Sequence, residues 1–407
     1  MISRRDITVF IDPVSKHFLR NELFNPDSRY NNDNAHGPYF YLHDLFRSKG
    51  IDVHTADYLL RGEIENKVNV YFSLGFVSNF RELAKRNDVI LSGIFTFEAP
   101  IVQPSTYRAL RDASKLFKRI YCYTSGDELA RFGCAGLNFS KFQIPYTGDN
   151  VIENLWLKKD RKFLNLLNWN RLSRRSWHEL YTERLRALDF FSRYGEIDLY
   201  GMGWDRAPYV VGETRMPFTF TWIHRYIREH VPFVRMHPYE EAVRKAYRGV
   251  AKSKYQTQSD YTFTICYENM MLPGWLNENI FDCFLVGTIP IYLGPPDVTD
   301  YVPAECFIDK RQFPTYPELR AFLKSLSEKE IQAYRENARD FVASDMYKPF
   351  LKEAFADHFV SAVEEDTGVS LRDSEVMCAE SSAETSAVRV AFEQASETAG
   401  NQSRSLF

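Results

Sequence analysis

Short apolar runs alternate with amphipathic stretches through the first 150 residues: Ile7–Ile11, FYLHDLFRSKG, Ile51–His54, Val68–Phe72, FRELAKRN, Val89–Phe97, TYRALRDASKLF and Ile120–Tyr123. Repetition of strand, helix and strand predicts a parallel sheet with crossover helices. Within it, FYLHDLFRSKGIDVHTAD predicts a helix closed by Gly50 and followed at once by a strand. Residues 1–150 are thus expected to form one α/β unit.

The alternation lapses over YTGDNVIENLWLKKDR (146–161) and restarts with RKFLNLLNWN, which predicts a boundary near 150. A second Rossmann-like unit, 151–364, is read from strand 162–167, a long helix over 173–193, strand 197–200, strand 261–267, helix 276–286, and strands 288–293 and 306–309. The Pro- and aromatic-rich stretch 205–238 does not fit the alternation and is expected to be an irregular insertion. Three helical segments follow over 315–364. The tail 365–407 is rich in Ser, Ala, Glu and Thr and is expected to be disordered.

Composition narrows the function classes. Hydrophobic residues make up 44% of the chain and charged residues 26%, as in a globular protein able to bury a core. Lys plus Arg number 51 against 54 Asp plus Glu, so no overall basic field exists to hold a nucleic acid. Any grip on phosphate must be local. Aromatic residues, at 15%, exceed the usual need of a core and leave some to line a cleft. The six cysteines (Cys122, Cys134, Cys266, Cys283, Cys306, Cys378) show no C-x-x-C pair. No window approaches the roughly 18 apolar residues of a membrane span, and no cleavable leader is visible. A cytoplasmic protein is expected, with peripheral membrane association compatible.

The densest chemical signal is Tyr261–Phe313, a strand ending in Tyr267-Glu268-Asn269, then a Pro-Gly loop, then a helix near Leu276. In open α/β sheets ligands bind at the carboxyl ends of strands, facing helix N-termini. Asn269 and Glu268 are candidates to accept sugar or ribose hydroxyl protons. Trp275 is a candidate to stack on a ring and Glu278 to act from the first helical turn. The bland alternative makes Glu278 a favourable helix-start acid and Trp275 a core anchor. Farther upstream, Asn168-Trp169-Asn170 precede Arg171, Arg174 and Arg175, which suit a pyrophosphate because guanidinium forks pair with phosphate oxygens. Phe97-Glu98-Ala99-Pro100 ends another strand and puts a carboxylate at a cleft mouth.

These segments resemble glycosyltransferase family 10, the α-1,3/4-fucosyltransferases. The family's F/Y-E-N triplet, G-Y-[IV]-T-E-K helix start, G-x-[IV]-P-[IV] strand and [WL]-G turn are matched in order. Here they read Tyr267-Glu268-Asn269, Gly274-Trp275-Leu276-Asn277-Glu278-Asn279, Gly287-Thr288-Ile289-Pro290-Ile291 and Leu293-Gly294. The family's F-E-S-P is matched by Phe97-Glu98-Ala99-Pro100.

The resemblance implies a GT-B fold of two facing Rossmann-like domains with C-terminal helices. It implies inverting transfer of L-fucose from GDP-β-L-fucose to a hydroxyl of an oligosaccharide, glycolipid or glycoprotein. Glu98 would be the general base, Arg174 the arginine on the donor diphosphate, and Glu278 a catalytic carboxylate. Asn168, Tyr267, Glu268, Asn269, Trp275 and Asn279 would complete the donor site. One departure stands out: the family's lysine in T-E-K is Asn279 here, so its charge is missing and Lys252 and Lys254 are candidates to replace it. No Asp-x-Asp occurs, and no metal or other cofactor is expected. The competing readings are a same-fold, exostosin-like enzyme using another nucleotide-sugar, and a catalytically degenerate nucleotide- or glycan-binding protein.

Overall fold

The computed structural model describes residues 2–75, 80–173, 177–206, 208–212, 226 and 239–371. Six strands form the first sheet: β1 (Ile7–Asp12), β2 (Asp52–Thr55), β3 (Val68–Ser73), β4 (Val89–Phe95), β5 (Arg119–Cys122) and β6 (Ser140–Lys141). Their order is β2-β1-β3-β4-β5-β6, and every pairing is parallel. All six residues of β1 are buried, as expected of a parallel strand covered on both faces. The Gly37–Ser48 helix ends where Gly50 turns left-handed at φ 75°, so the chain enters β2 directly.

The second half supplies β7 (Lys162–Leu167), β8 (Arg171–Ser173), β9 (Ile197–Tyr200), β10 (Tyr209–Val211), β11 (Tyr261–Tyr267), β12 (Ile289–Leu293) and β13 (Ile308–Asp309). Five of them make an all-parallel sheet in the order β13-β12-β11-β7-β9. From β7 the chain goes first to β9 on one side and later to β11 on the other, which makes the β7/β11 crevice the topological switch point. The strands β8 and β10 pair beside this sheet as a two-stranded ribbon.

Three features depart from the sequence expectations. The helix expected over 173–193 spans Tyr181–Ser192, and Arg171 lies in β8 instead of at a helix start. The cause is Asn170, whose buried amide donates to the carbonyls of Gly203 and Arg206 at 2.9 and 3.0 Å while its own carbonyl accepts from Tyr209. That clamp ties 171–173 to 209–211 and draws the start of the expected insertion into a strand. The rest of the insertion, apart from Tyr226, lies outside the described residues.

Further, the boundary placed at 364 falls inside the last helix, Lys352–Thr367, which Gly368 closes at φ 69°. Residues 372–407 lie outside the described residues. Finally, that helix does not pack on the second sheet as part of its unit. Phe355, Phe359, Val360 and Val363 are buried in the core of the first sheet, where the Phe359 ring stacks 4.6 Å from Phe95. Asp366, at its end, accepts from Arg119 at 3.0 Å. An amphipathic stripe specifies that a helix face is buried, not which sheet buries it.

Candidate functional site

A cleft of about 350 Å³ opens between the two units at the switch point of the second sheet. Phe97 and Glu98 line it from the first unit, while Asn168, Arg171, Lys254, Asn269, Glu278 and Asn279 line it from the second.

Glu98 sits in the turn after β4. The phenol of Tyr107, on the Pro104–Ala113 helix, donates to the Glu98 carbonyl at 2.6 Å and is itself paired with the Tyr123 hydroxyl at 2.8 Å. The backbone is thereby pinned and the carboxylate is left to the cleft. Burial pushes the Glu98 carboxyl above the usual carboxylate range; the Arg171 guanidinium opposes the shift and the Glu278 charge adds to it. A carboxyl raised in this way is a stronger base near neutral pH.

On the opposite wall, Asn168 follows β7 and Asn269 follows β11, one on each side of the switch point. A single residue holds both. The buried Arg184 guanidinium donates to Asn168 Oδ1 at 2.9 Å, to Asn269 Oδ1 at 3.2 Å and to the Tyr267 carbonyl through Nε at 3.0 Å. With each amide oxygen engaged by arginine, each amide NH₂ is directed away from it. Sequence reading missed Arg184, although a signal existed. It falls on the same helical stripe as Tyr181, Leu185 and Leu188, and a charge on a buried stripe demands buried partners.

The Glu278–Leu285 helix begins at Asn277, whose side chain accepts from the Asn279 backbone N–H at 3.0 Å and from the Asn279 side-chain amide at 2.7 Å. Glu278 is exposed to the cleft, and Asn279 is tied back to the cap.

Two residues of the expected donor set face elsewhere. Glu268 is 1% exposed; its Oε1 accepts from the Asn277 backbone N–H at 3.1 Å and from the Tyr292 hydroxyl at 2.8 Å. Burial pushes its carboxyl up to about 8. It supports the loop before the helix from below. Tyr267 is likewise buried and does not line the cleft. Trp275 borders the cleft, yet its ring lies 4.7 Å from that of Tyr123 in the first unit's core. The neighbouring Gly274 is left-handed at φ 74°, and a Cβ there would stand 2.2 Å from the Tyr123 carbonyl oxygen. Loop 274–275 is therefore the wedge that joins the units. Arg174 and Arg175 lie outside the described residues, and Arg171, stacked 4.5 Å over Trp169, is the arginine that lines the cleft among those described.

No group of three or more His, Cys, Asp or Glu side chains fit to hold a metal occurs among the described residues. Nor, among them, is any helix long and apolar enough to cross a membrane.

Comparison with known proteins matches residues 222–347 to glycosyltransferase family 10 (fucosyltransferase), C-terminal part. The matched stretch lies within the second unit. This family 10 stretch includes β11, the Asn277 cap, β12 and most of the C-terminal helices. An α-(1,4)-fucosyltransferase of Arabidopsis thaliana is 35% identical over 78 residues, 19% of each chain. Human α-(1,3)-fucosyltransferase 7 is 25% identical over 181 residues, 40% of this chain and 51% of that relative. The matches thus span about a fifth to a half of these curated relatives' own length. A solved α1,3-fucosyltransferase is 13% identical with a TM-score of 0.46, covering 90% of this chain and 92% of that one. With two parallel α/β units facing across a cleft, the chain has the GT-B architecture.

Proposed function

We propose that the protein is an inverting glycosyltransferase that moves L-fucose from GDP-β-L-fucose to a hydroxyl of a glycan, forming an α-fucoside. The observation that carries this reading is the placement of Glu98 across one cleft from the capped start of the Glu278 helix. The family 10 match and the fucosyltransferase relatives support fucose as the sugar, and GDP as its carrier is what the motif resemblance implies.

In the proposed displacement the acceptor oxygen attacks the anomeric carbon of fucose from the side of the first unit. Its proton passes to the Glu98 carboxylate as the bond to the diphosphate oxygen breaks. GDP leaves toward the second unit, where Arg171 and the start of the Glu278–Leu285 helix favour negative charge. The Asn269 amide and the Glu278 carboxylate are suited to sugar and ribose hydroxyls as donor and acceptor respectively. Attack and departure on opposite faces invert the configuration.

A second reading, a protein that binds the donor without turnover, is favoured by Asn279, which brings no charge to the diphosphate. One assay separates the two. Incubation with GDP-fucose, with UDP- and ADP-sugars as controls, and a panel of glycan acceptors is expected to yield an α-fucoside from GDP-fucose alone. Transfer from a UDP-sugar in its place would assign another donor, and tight GDP-fucose binding with no product on any acceptor would favour the binding protein.

A further inference from the structure

We propose that Lys254 supplies the positive charge on the donor diphosphate that Asn279 lacks, an assignment that rests on the nucleotide-diphosphate reading of the cleft. Lys254 opens the short Lys254–Ser259 helix before β11 and reaches the cleft from a different element than the Asn277–Asn279 helix start. Its ammonium pairs with Asp282 Oδ2 at 2.9 Å. Asp282 lies one turn beyond Asn279 on the same helix, and residues three apart share a helix face. The lysine charge is therefore delivered beside Asn279 from across the loop.

Three further observations support a ligand role in addition to the ion pair. The Lys254 side chain keeps 23% of its surface exposed, and an ammonium with one donor spent on Asp282 has two left. Burial alone would lower its pKa, but the Asp282 carboxylate, with Tyr255 and Glu278, raises it above the ordinary lysine value, so it is charged at neutral pH. Its backbone is also fixed from the opposite unit. Asp33 accepts from the Lys254 N–H and from the Ser253 hydroxyl, each at 3.1 Å. Asp282 itself is held by the Tyr146 hydroxyl. Lys252, the other sequence candidate, is exposed and does not line the cleft.

The charge balance of the described cleft needs this lysine. Glu98, Glu278 and Asp282 are opposed there by Arg171 and Lys254 alone. A diphosphate adds at least two negative charges to described walls that already carry one more acid than base, so each of these two cations weighs on its affinity.

The test compares GDP with guanosine by titration calorimetry on the full chain. Lys254→Gln alone strands a buried carboxylate, so the informative variant is the double change Lys254→Gln with Asp282→Asn, which removes the pair without leaving a lone charge. Asp282→Asn by itself serves as its control. The double variant is expected to lose about 10- to 100-fold in GDP affinity, the scale of a hydrogen bond to a charged group, with guanosine affinity unchanged. Adding Asn279→Lys to it should restore most of the loss, and Lys254→Arg should hold GDP within a few-fold. Equal loss for GDP and guanosine, or no loss for either, overturns the assignment while leaving the nucleotide reading intact. A parent chain that binds no GDP overturns both.

Discussion

The two sheets approach one cleft by opposite means. The second brings its site to its own switch point, where the crevice between β7 and β11 is flanked by Asn168 and Asn269 and spanned underneath by Arg184. The first has a switch point too, between β1 and β3, but it is closed over Asp12, which is 1% exposed and accepts the Tyr71 phenol at 2.5 Å. What the first sheet offers is a single carboxylate, Glu98, from the turn after β4. The topological rule for ligand sites thus holds for one of two similar sheets. One wall is a preorganised polar surface suited to holding a donor. The other holds one group at a fixed backbone position, which is enough for a proton acceptor.

The contrast is broken most severely at Glu98. Glu98→Gln keeps shape and loses basicity, and is expected to lower kcat by roughly 10²–10⁴-fold with donor affinity nearly unchanged. Rates measured at saturating acceptor, alongside GDP affinity, check both halves. Because burial holds this carboxyl above its ordinary value, kcat/KM should fall as pH drops through that raised pKa, and the limb should vanish in the variant. A variant as fast as the parent would take Glu98 out of the reaction.

Arg184 tests the donor wall. Arg184→Met leaves three acceptors without their donor, at a cost of roughly 3–6 kcal/mol by denaturant melts, since each buried unsatisfied group costs about 1–3. Lysine at this position should not rescue, because a point charge cannot span two asparagines and a carbonyl. Unchanged stability together with unchanged GDP binding would show that the two asparagines hold their places unaided.

The third prediction concerns the same wall from below. The folded-state pKa of Glu268, about 8, lies above its ordinary 4.5. Between those values the unfolded chain has released the proton that the folded chain keeps, so stability falls as pH rises from about 4.5 to about 8. Glu268→Gln keeps the acceptor for Tyr292 and Asn277 and removes the titration. The variant is expected to flatten this slope, gaining on the order of 3–4 kcal/mol relative to the parent by pH 7–8. Parallel stability curves for the two proteins would place the proton elsewhere.

Much of this wall was legible in the sequence. Strand β7 falls at 162–167 as its apolar run predicts, and β11 at 261–267, because a buried parallel strand is a bounded apolar stretch. The convergence of Glu98, Asn168, Asn269, Glu278 and Asn279 follows from strand-end and helix-start positions that the sequence displays. What escaped were features set by long-range side-chain bonds. Asn170 makes 171–173 a strand through partners more than thirty residues on. Glu268 sits beside Asn269 in the motif but is buried under the following loop by its bonds from Asn277 and Tyr292, partners that the triplet itself does not display. Arg184 and the destination of the last helix depend on contacts that no local periodicity encodes.

That last helix bears on how the molecule is assembled. On a ribosome, β1 to β5 emerge long before residues 352–367, so Phe72 and Phe95 lack the Phe359 ring that covers both until synthesis nears this segment. The second sheet can close on its own residues in the meantime. The first-made unit is therefore finished last, with the second lying within the loop that must close. Cutting the chain near 150 would strip Phe355, Phe359, Val360 and Val363 from one face of the first core, and a fragment ending there should collect chaperones or aggregate.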